Sequence, residues 1–138
     1  MDMKYYYKTS DGKVVELGQQ DGLYLYGKNI IQLIVPDGCE KVYCSMNQLK
    51  GLLIPNGCKV VSCSNNQLKE LIIPDGCKKV WCHNNQLKEL VLPDGCKEVY
   101  CFNNQLIELI IPNGCKEVWA DMKSVTELNK VKELNLWI

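Results

Sequence analysis

From Cys39 onward the apolar and polar positions fall into a pattern that returns every 19 residues. The first half of each copy reads CxxVxCxxNxL, as in Cys77, Val80, Cys82, Asn85 and Leu87. The second reads LxxLxLPDG, as in Leu87, Leu90, Leu92 and Pro93. Copies begin at Cys39, Cys58, Cys77, Cys96 and Cys115. Pro36, Pro55, Pro74, Pro93 and Pro112 keep the same interval, each followed by Asp or Asn and then Gly. Both halves end in an alternating apolar triplet, the period-2 mark of a short strand with every second residue facing in. A helix does not fit the second half, because Pro93 and Gly95 would stop it after about one and a half turns. Each coil is therefore expected to hold two short strands and two turns, with Pro fixing φ and Gly tolerating positive φ in one of them. A unit this short cannot bury its apolar face alone, so the pattern predicts a stacked β-rich solenoid with parallel sheets.

The ends depart from the repeat. Residues 3–17 hold two β-prone runs, MKYYYK and KVVELG, around an Asp11-Gly12 turn, which predicts a hairpin that covers the open first coil. From Gln20 to Ile30 the chain gives a degenerate copy, with Lys28 at the position of the later asparagines. The fifth copy decays at Ala120, Lys123 and Val125. Beyond it, Val131, Leu134 and Leu136 match a shortened strand. A capping helix competes there, since Ser124 and Glu127 form a capping box; the strand is favoured. The expected organisation is a hairpin cap over 1–19, the solenoid over 20–124, and a cap or shortened repeat over 125–138.

Asn47, Asn66, Asn85 and Asn104 recur where the first strand turns away, and an inward amide there can satisfy backbone groups that no sheet ladder reaches. These residues, within CxxVxCxxNxL, resemble the conserved LxxLxLxxNxL segment of leucine-rich repeat proteins, with Cys and Val replacing some leucines. The likeness covers about residues 20 to 138. The 19-residue period is similar to the short bacterial and viral types of that family, in which both sides of the coil are extended. The resemblance implies a protein-binding scaffold that offers its strand face to ligands.

If Val80 and Cys82 face in, Trp81 and His83 face out, and so do their equivalents. Coils about 4.8 Å apart stack these into columns. One runs Tyr24, Tyr43, Ser62, Trp81, Tyr100, Trp119, Asn135; the next runs Tyr26, Ser45, Ser64, His83, Phe102, Asp121, Trp137. Tyr43, Trp81, His83, Tyr100, Phe102 and Trp119 are the candidate partner-binding residues, expected as an exposed aromatic face, because Trp and Tyr dominate interface energies. Aromatic ladders also stabilise sheets with no ligand, by about 0.2 to 1 kcal/mol per pair. Flanking positions run Lys41, Val60, Lys79, Glu98, Glu117, from basic to acidic. On the second side Ile34, Leu53, Ile72, Val91 and Ile110 form an aliphatic stripe suited to self-association across a two-fold axis. Lys50, Lys69 and Lys88 read as a solvated edge.

Composition narrows the function. In 138 residues, 16 Lys balance 16 Asp plus Glu and Arg is absent, so neither a nucleic acid nor a membrane partner is expected. Nine cysteines are an odd number, spaced by the repeat, and read as small buried hydrophobes in a reducing compartment. The first residues, MDMKYYYKTSDGK, lack the apolar stretch of a secretory signal, so the expected location is cytoplasmic, the host cytosol if the source is a pathogen or virus. His83 is the one histidine and points away from Cys82, and no CxxC pair occurs. No metal, cofactor or catalytic residue is therefore expected. Three readings remain open: binding of another protein on the aromatic face, a structural homodimer through the aliphatic stripe, and carbohydrate binding by stacked aromatics.

Overall fold

The computed structural model describes residues 4–121 and the backbone of Asn135–Trp137. In chain order the strands are β1 (Tyr6–Thr9), β2 (Val14–Glu16), β3 (Gly22–Tyr24), β4 (Ile30–Leu33), β5 (Lys41–Tyr43) and β6 (Val60–Ser62). They continue as β7 (Lys79–Trp81), β8 (Glu89–Val91), β9 (Glu98–Tyr100), β10 (Glu108–Ile110), β11 (Glu117–Trp119) and β12 (Asn135–Trp137). The chain is a β-solenoid with parallel sheets. The first strand of every coil joins one seven-stranded sheet, in the order β12-β11-β9-β7-β6-β5-β3.

Register in that sheet is set by burial. Val42, Val61, Val80, Val99 and Val118 pair with one another across it and are fully buried. A slip of one residue would exchange them for the outward column, so the period-2 pattern locks the coils in phase. Leu49, Leu68 and Leu87 are likewise fully buried at the next bend. Each such side chain contributes about 1.5 to 3 kcal/mol by leaving water.

The second side is extended with the expected facing: Leu33, Leu71, Leu90 and Leu109 lie in the core, and Ile34, Leu53, Ile72 and Val91 are exposed. It departs from the expectation in its hydrogen bonding. Among the described residues only β8 and β10 pair there in parallel, while β4 pairs antiparallel with β1. Coils two and three run through 52–54 and 71–73 without strand pairing. In coil two, Gly51 replaces the Glu of later copies, and Gly is a poor strand former.

The N-terminal hairpin forms as expected, with Tyr7 opposite Val15 and Gly12 in the turn at φ 92°. It caps the array by extending the second side, through Tyr7 against Leu33 and Lys8 against Gln32. Tyr5 donates its hydroxyl to Asp37 at 2.9 Å, tying the cap to the first Pro-Asp-Gly turn. At the other end, β12 pairs in parallel with β11, Leu136 opposite Val118, as the shortened-strand reading requires. The competing helix signals, Ser124 and Glu127, lie outside the described residues, as does the boundary placed at 124.

Two asparagine ladders run along the stack, the inner from Asn47 to Asn104 and the outer from Asn65 to Asn103. The inner one is that expected from the sequence. The Asn66 side chain donates to the carbonyls of Cys44 and Cys63, at 3.1 Å each, and accepts the Leu49 N–H at 2.9 Å. Asn85 repeats this on Cys63, Cys82 and Leu68, and Asn104 on Cys82, Cys101 and Leu87. Asn47 starts the row by accepting the N–H of both Lys28 and Ile30. The outer ladder lies one residue before the inner one. Gly27, Met46, Asn65, Asn84 and Asn103 all hold positive φ, and the Asn84 amide donates to Asn65 at 2.9 Å while Asn103 donates to Asn84. Glycine and asparagine accept this left-handed conformation readily; methionine does not.

Two expected outcomes follow, both read by denaturant titration. Asn66→Ala strands the Leu49 N–H and removes one of two donors from each of two buried carbonyls, and should cost about 2 to 4 kcal/mol. Met46→Asn should instead stabilise the fold by about 1 kcal/mol, by placing a tolerant residue at φ 60°.

Candidate functional site

The outward columns stand on the seven-stranded sheet as expected, but they divide into two groups. Tyr24 and Tyr43 stack with ring centroids 5.2 Å apart and planes 14° from parallel. Ser62 then interrupts the column, and beyond it Trp81, Tyr100 and Trp119 continue at 5.7 and 5.3 Å. In the neighbouring column His83 stacks on Phe102 at 4.6 Å and meets Tyr100 at 6.2 Å. Trp81, His83, Tyr100, Phe102 and Trp119 therefore make one contiguous cluster, while Tyr43 belongs with Tyr24 at the far end.

The cluster differs from expectation in exposure. All five rings are half-buried, because rings on adjacent coils tilt across one another and cover each other's faces. Tyr24 and Tyr26, at the open end, remain 67% exposed. Between the two groups Ser45, Ser62 and Ser64 form a buried hydroxyl chain, Ser62 to Ser45 at 2.8 Å and Ser64 to Ser45 at 2.9 Å.

Glu117 organises the C-terminal group. One of its oxygens accepts from the Tyr100 hydroxyl at 3.1 Å and from the Trp119 indole N–H at 3.0 Å. The sequence places Glu117 beside the column, yet only side-chain geometry reveals that it joins two rings. Burial, then Glu117 and Glu98, push the Tyr100 phenol up to about 12, so it stays neutral and donating. Glu98 also meets Lys79 at 3.8 Å. Asp121 differs from its predecessors in the second column. Its carboxylate accepts the N–H groups of Asn103 and Asn104, at 3.0 and 3.3 Å. Earlier coils satisfy the first of these with a main-chain carbonyl, as Asn84 N–H does on Phe102.

Trp81 Nε1 and His83 Nδ1 are buried, and among the described residues neither has a hydrogen-bond partner. Desolvation also holds the His83 imidazole below its ordinary value.

The remaining predicted residues serve other ends. Asn47, Asn66, Asn85 and Asn104 are structural, as described. The aliphatic stripe lies on the second side, with Leu53 81% and Ile72 78% exposed and Ile110 half-buried. All nine cysteines are free and buried. Cys39, Cys58, Cys77 and Cys96 donate their thiols to carbonyls of the preceding coil at 3.5 to 3.6 Å. Burial pushes Cys44 and Cys101 up to about 12, which leaves them poor nucleophiles. Among the described residues no three His, Cys, Asp or Glu side chains converge to hold a metal. A hollow of about 360 Å³ near the hairpin tip is lined by Lys13 and Lys28 with Asp11. Its carboxylate is already engaged by Thr9 and the Lys13 N–H.

The His83 shift carries a sign. Its folded value lies below the unfolded one, so the unfolded chain takes up protons first as pH falls through about 6.5. The melting temperature should drop between pH 7 and pH 5, and His83→Phe, which keeps the stack on Phe102, should flatten that slope in scanning calorimetry. No protein-family model matches the chain, and no curated protein matches it significantly.

Proposed function

We propose that the chain is a non-enzymatic binding module that holds another protein against the aromatic strand face centred on Trp81, Tyr100 and Trp119. The observation that carries this reading is the pair of orphaned nitrogens within the ring cluster. A ladder kept only for stability gains nothing from Trp81 Nε1 or His83 Nδ1, each buried without a partner among the described residues, where Phe would supply the same stacking. Indole and imidazole on a ligand face instead bring large contact area together with polar tips. The 19-residue period and the CxxVxCxxNxL pattern favour a short leucine-rich repeat array, whose strand face is the usual ligand surface. Rows of like residues do not bring the differing groups of a catalytic site to one point. Nine buried thiols favour a reducing compartment such as the cytoplasm.

One observation favours a second reading, self-association through the aliphatic stripe: among the described residues Leu53 and Ile72 are the most exposed of the large aliphatics, at 81% and 78%. The stripe is about 20 Å long, from four steps of about 4.8 Å, and one side chain wide. That falls well short of the roughly 800 Å² per partner of a stable dimer. The aromatic face is preferred.

The test uses the full chain as bait in lysate, beside a variant carrying Trp81→Ser, Tyr100→Ser and Trp119→Ser and a second carrying Leu53→Ser and Ile72→Ser. The captured set should disappear from the first variant and persist in the second. The melting temperature of the first should fall by a few degrees, since half-buried rings are lost, with circular dichroism verifying its fold. Equal capture by all three baits would overturn the reading. Light scattering at high concentration should return a monomer; a dimer lost in the Leu53→Ser, Ile72→Ser variant would favour self-association instead.

A further inference from the structure

The two sides of the first coil end differently. On the second side β1 continues the array past β4, and β2 continues it past β1. On the first side the seven-stranded sheet stops at β3, whose sole strand partner among the described residues is β5. A ledge is left there, with β3 as its floor and the hairpin beside it. Along that edge the main chain is unpaired. Asp21 O, Leu25 N and Gly27 N turn towards the second coil, where they meet Lys41 N at 3.0 Å, Tyr43 O at 2.7 Å and Ser45 O at 3.1 Å. Alternation along the strand turns Gly22, Tyr24 and Tyr26 the other way. The counterparts of those three second-coil atoms, Gly22 N, Tyr24 O and Tyr26 O, therefore face the ledge, and they have no hydrogen-bond partner among the described residues.

We propose that this ledge takes up an extended segment of another protein, added to β3 as one further parallel strand in which uncharged β-branched and aromatic residues alternate. The site lies at the opposite end of the sheet from the Trp81 cluster and is independent of it.

Strand addition pairs the main chain of a sheet edge with that of an extended peptide, and alternate side chains give the selection. The run Gly22-Leu23-Tyr24-Leu25-Tyr26 carries neither a charge nor a proline, the usual guards of an open edge. Its outward side chains are offered to a neighbour. Tyr24 stacks on Tyr43 by one face and is 67% exposed, where Tyr43, one coil further in, is half-buried. The Tyr24 ring lies back along its own strand: a Cβ at residue 22 would meet it at 3.0 to 3.2 Å, so glycine there keeps the platform flat. An aromatic side chain on the added strand would continue this stack. Leu23 and Leu25 alternate inward, so the residues beside them should be apolar, as Val42 is beside Leu23. Asp21 and Lys28 stand exposed before and after the run, which suits a parallel segment with a cation at its start and an anion at its end. The hairpin decides the size of the occupant. A second copy, or any further coil, needs both sides of the level beyond β3, and β1 already fills the second side of that level. A single strand needs the first side alone.

The experiment is NMR of the full chain with the capped peptide Lys-Val-Tyr-Val-Tyr-Glu, titrated to about 1 mM, followed by amide exchange at the end point. In the free protein the Gly22 and Tyr24 amides should exchange rapidly, while that of Leu25, bonded to Tyr43, is protected. Peptide should slow both by about tenfold or more. A peptide N-methylated at its second Val and at Glu, the counterparts of Leu25 and Gly27, should bind about tenfold more weakly. One N-methylated at both Tyr residues, whose N–H groups point away from β3, should bind as the parent does. Tyr24→Ser should weaken binding about fivefold with the melting temperature nearly unchanged. The variant carrying Trp81→Ser, Tyr100→Ser and Trp119→Ser should bind the peptide normally. Absence of binding would overturn the inference, as would binding that leaves the Gly22 and Tyr24 amides unprotected, equal binding of the two N-methylated peptides, or loss of binding in the triple variant. Protection of both amides in the free monomer would show the ledge covered by the chain itself. A dimer in light scattering that Tyr24→Ser abolishes would put a second copy there. Either result would equally overturn it.

Discussion

Every coil of this solenoid bends its backbone twice within 19 residues, and at each bend peptide groups turn out of the sheet and into the core. A buried N–H or C=O without a partner costs as much as several good contacts provide. The inner asparagines resolve that conflict. Asn85 links the carbonyls of two successive coils and takes a third group, the Leu68 N–H, on its oxygen. Each bridged carbonyl, such as that of Cys63, then has two amide donors, one from its own coil and one from the next. No coil is satisfied alone, so the ladder makes the stack cooperative in a way that hydrophobic burial, which is non-directional, does not.

Strict phase is what turns varied sequence into a surface. Because Val80 and Val99 must stay paired in the core, Trp81 and Tyr100 have no choice but to be neighbours outside it. The small core thiols serve the same end: Cys82 and Cys101 fill the space under the strand without forcing the coils apart. Variation is then free only in the outward columns, where replacing a Ser by an aromatic residue changes the face and leaves the coil intact. The split between the Tyr24–Tyr43 pair and the Trp81 cluster is such a change, made by Ser62 alone in its column.

The sequence carried the architecture nearly in full because both signals are local and repeated. The period places the coils, and the alternation about Val80 and Cys82 places the faces. The hairpin was legible through Asp11-Gly12. Other features depend on atoms that pattern does not encode. Alternation predicts which residues face out at Leu53 and Ile72, but not whether their backbones come close enough to pair, and they do not. The aromatic column was legible as a list, whereas its half-burial follows from ring tilt across neighbouring coils. Glu117 was visible as a flank; its double role depends on where the Tyr100 hydroxyl and Trp119 indole reach. The outer ladder did have a signal, the first Asn in each Asn-Asn pair aligned with Gly27, since Gly and Asn at one repeat position mark a left-handed residue.

Asp121 ends the amide chemistry by offering a carboxylate where earlier coils offered a main-chain carbonyl. That change of acceptor is thus a property of one side chain and not of the coils before it. Duplication of an internal 19-residue unit would preserve every contact on either side, since each coil reads only its neighbours. Such an event would move the Lys41 end about 4.8 Å further from the Glu117 end and change nothing else. The molecule is in that sense a ruler, whose length can be altered by whole graduations without recutting the cluster at Trp81, Tyr100 and Trp119.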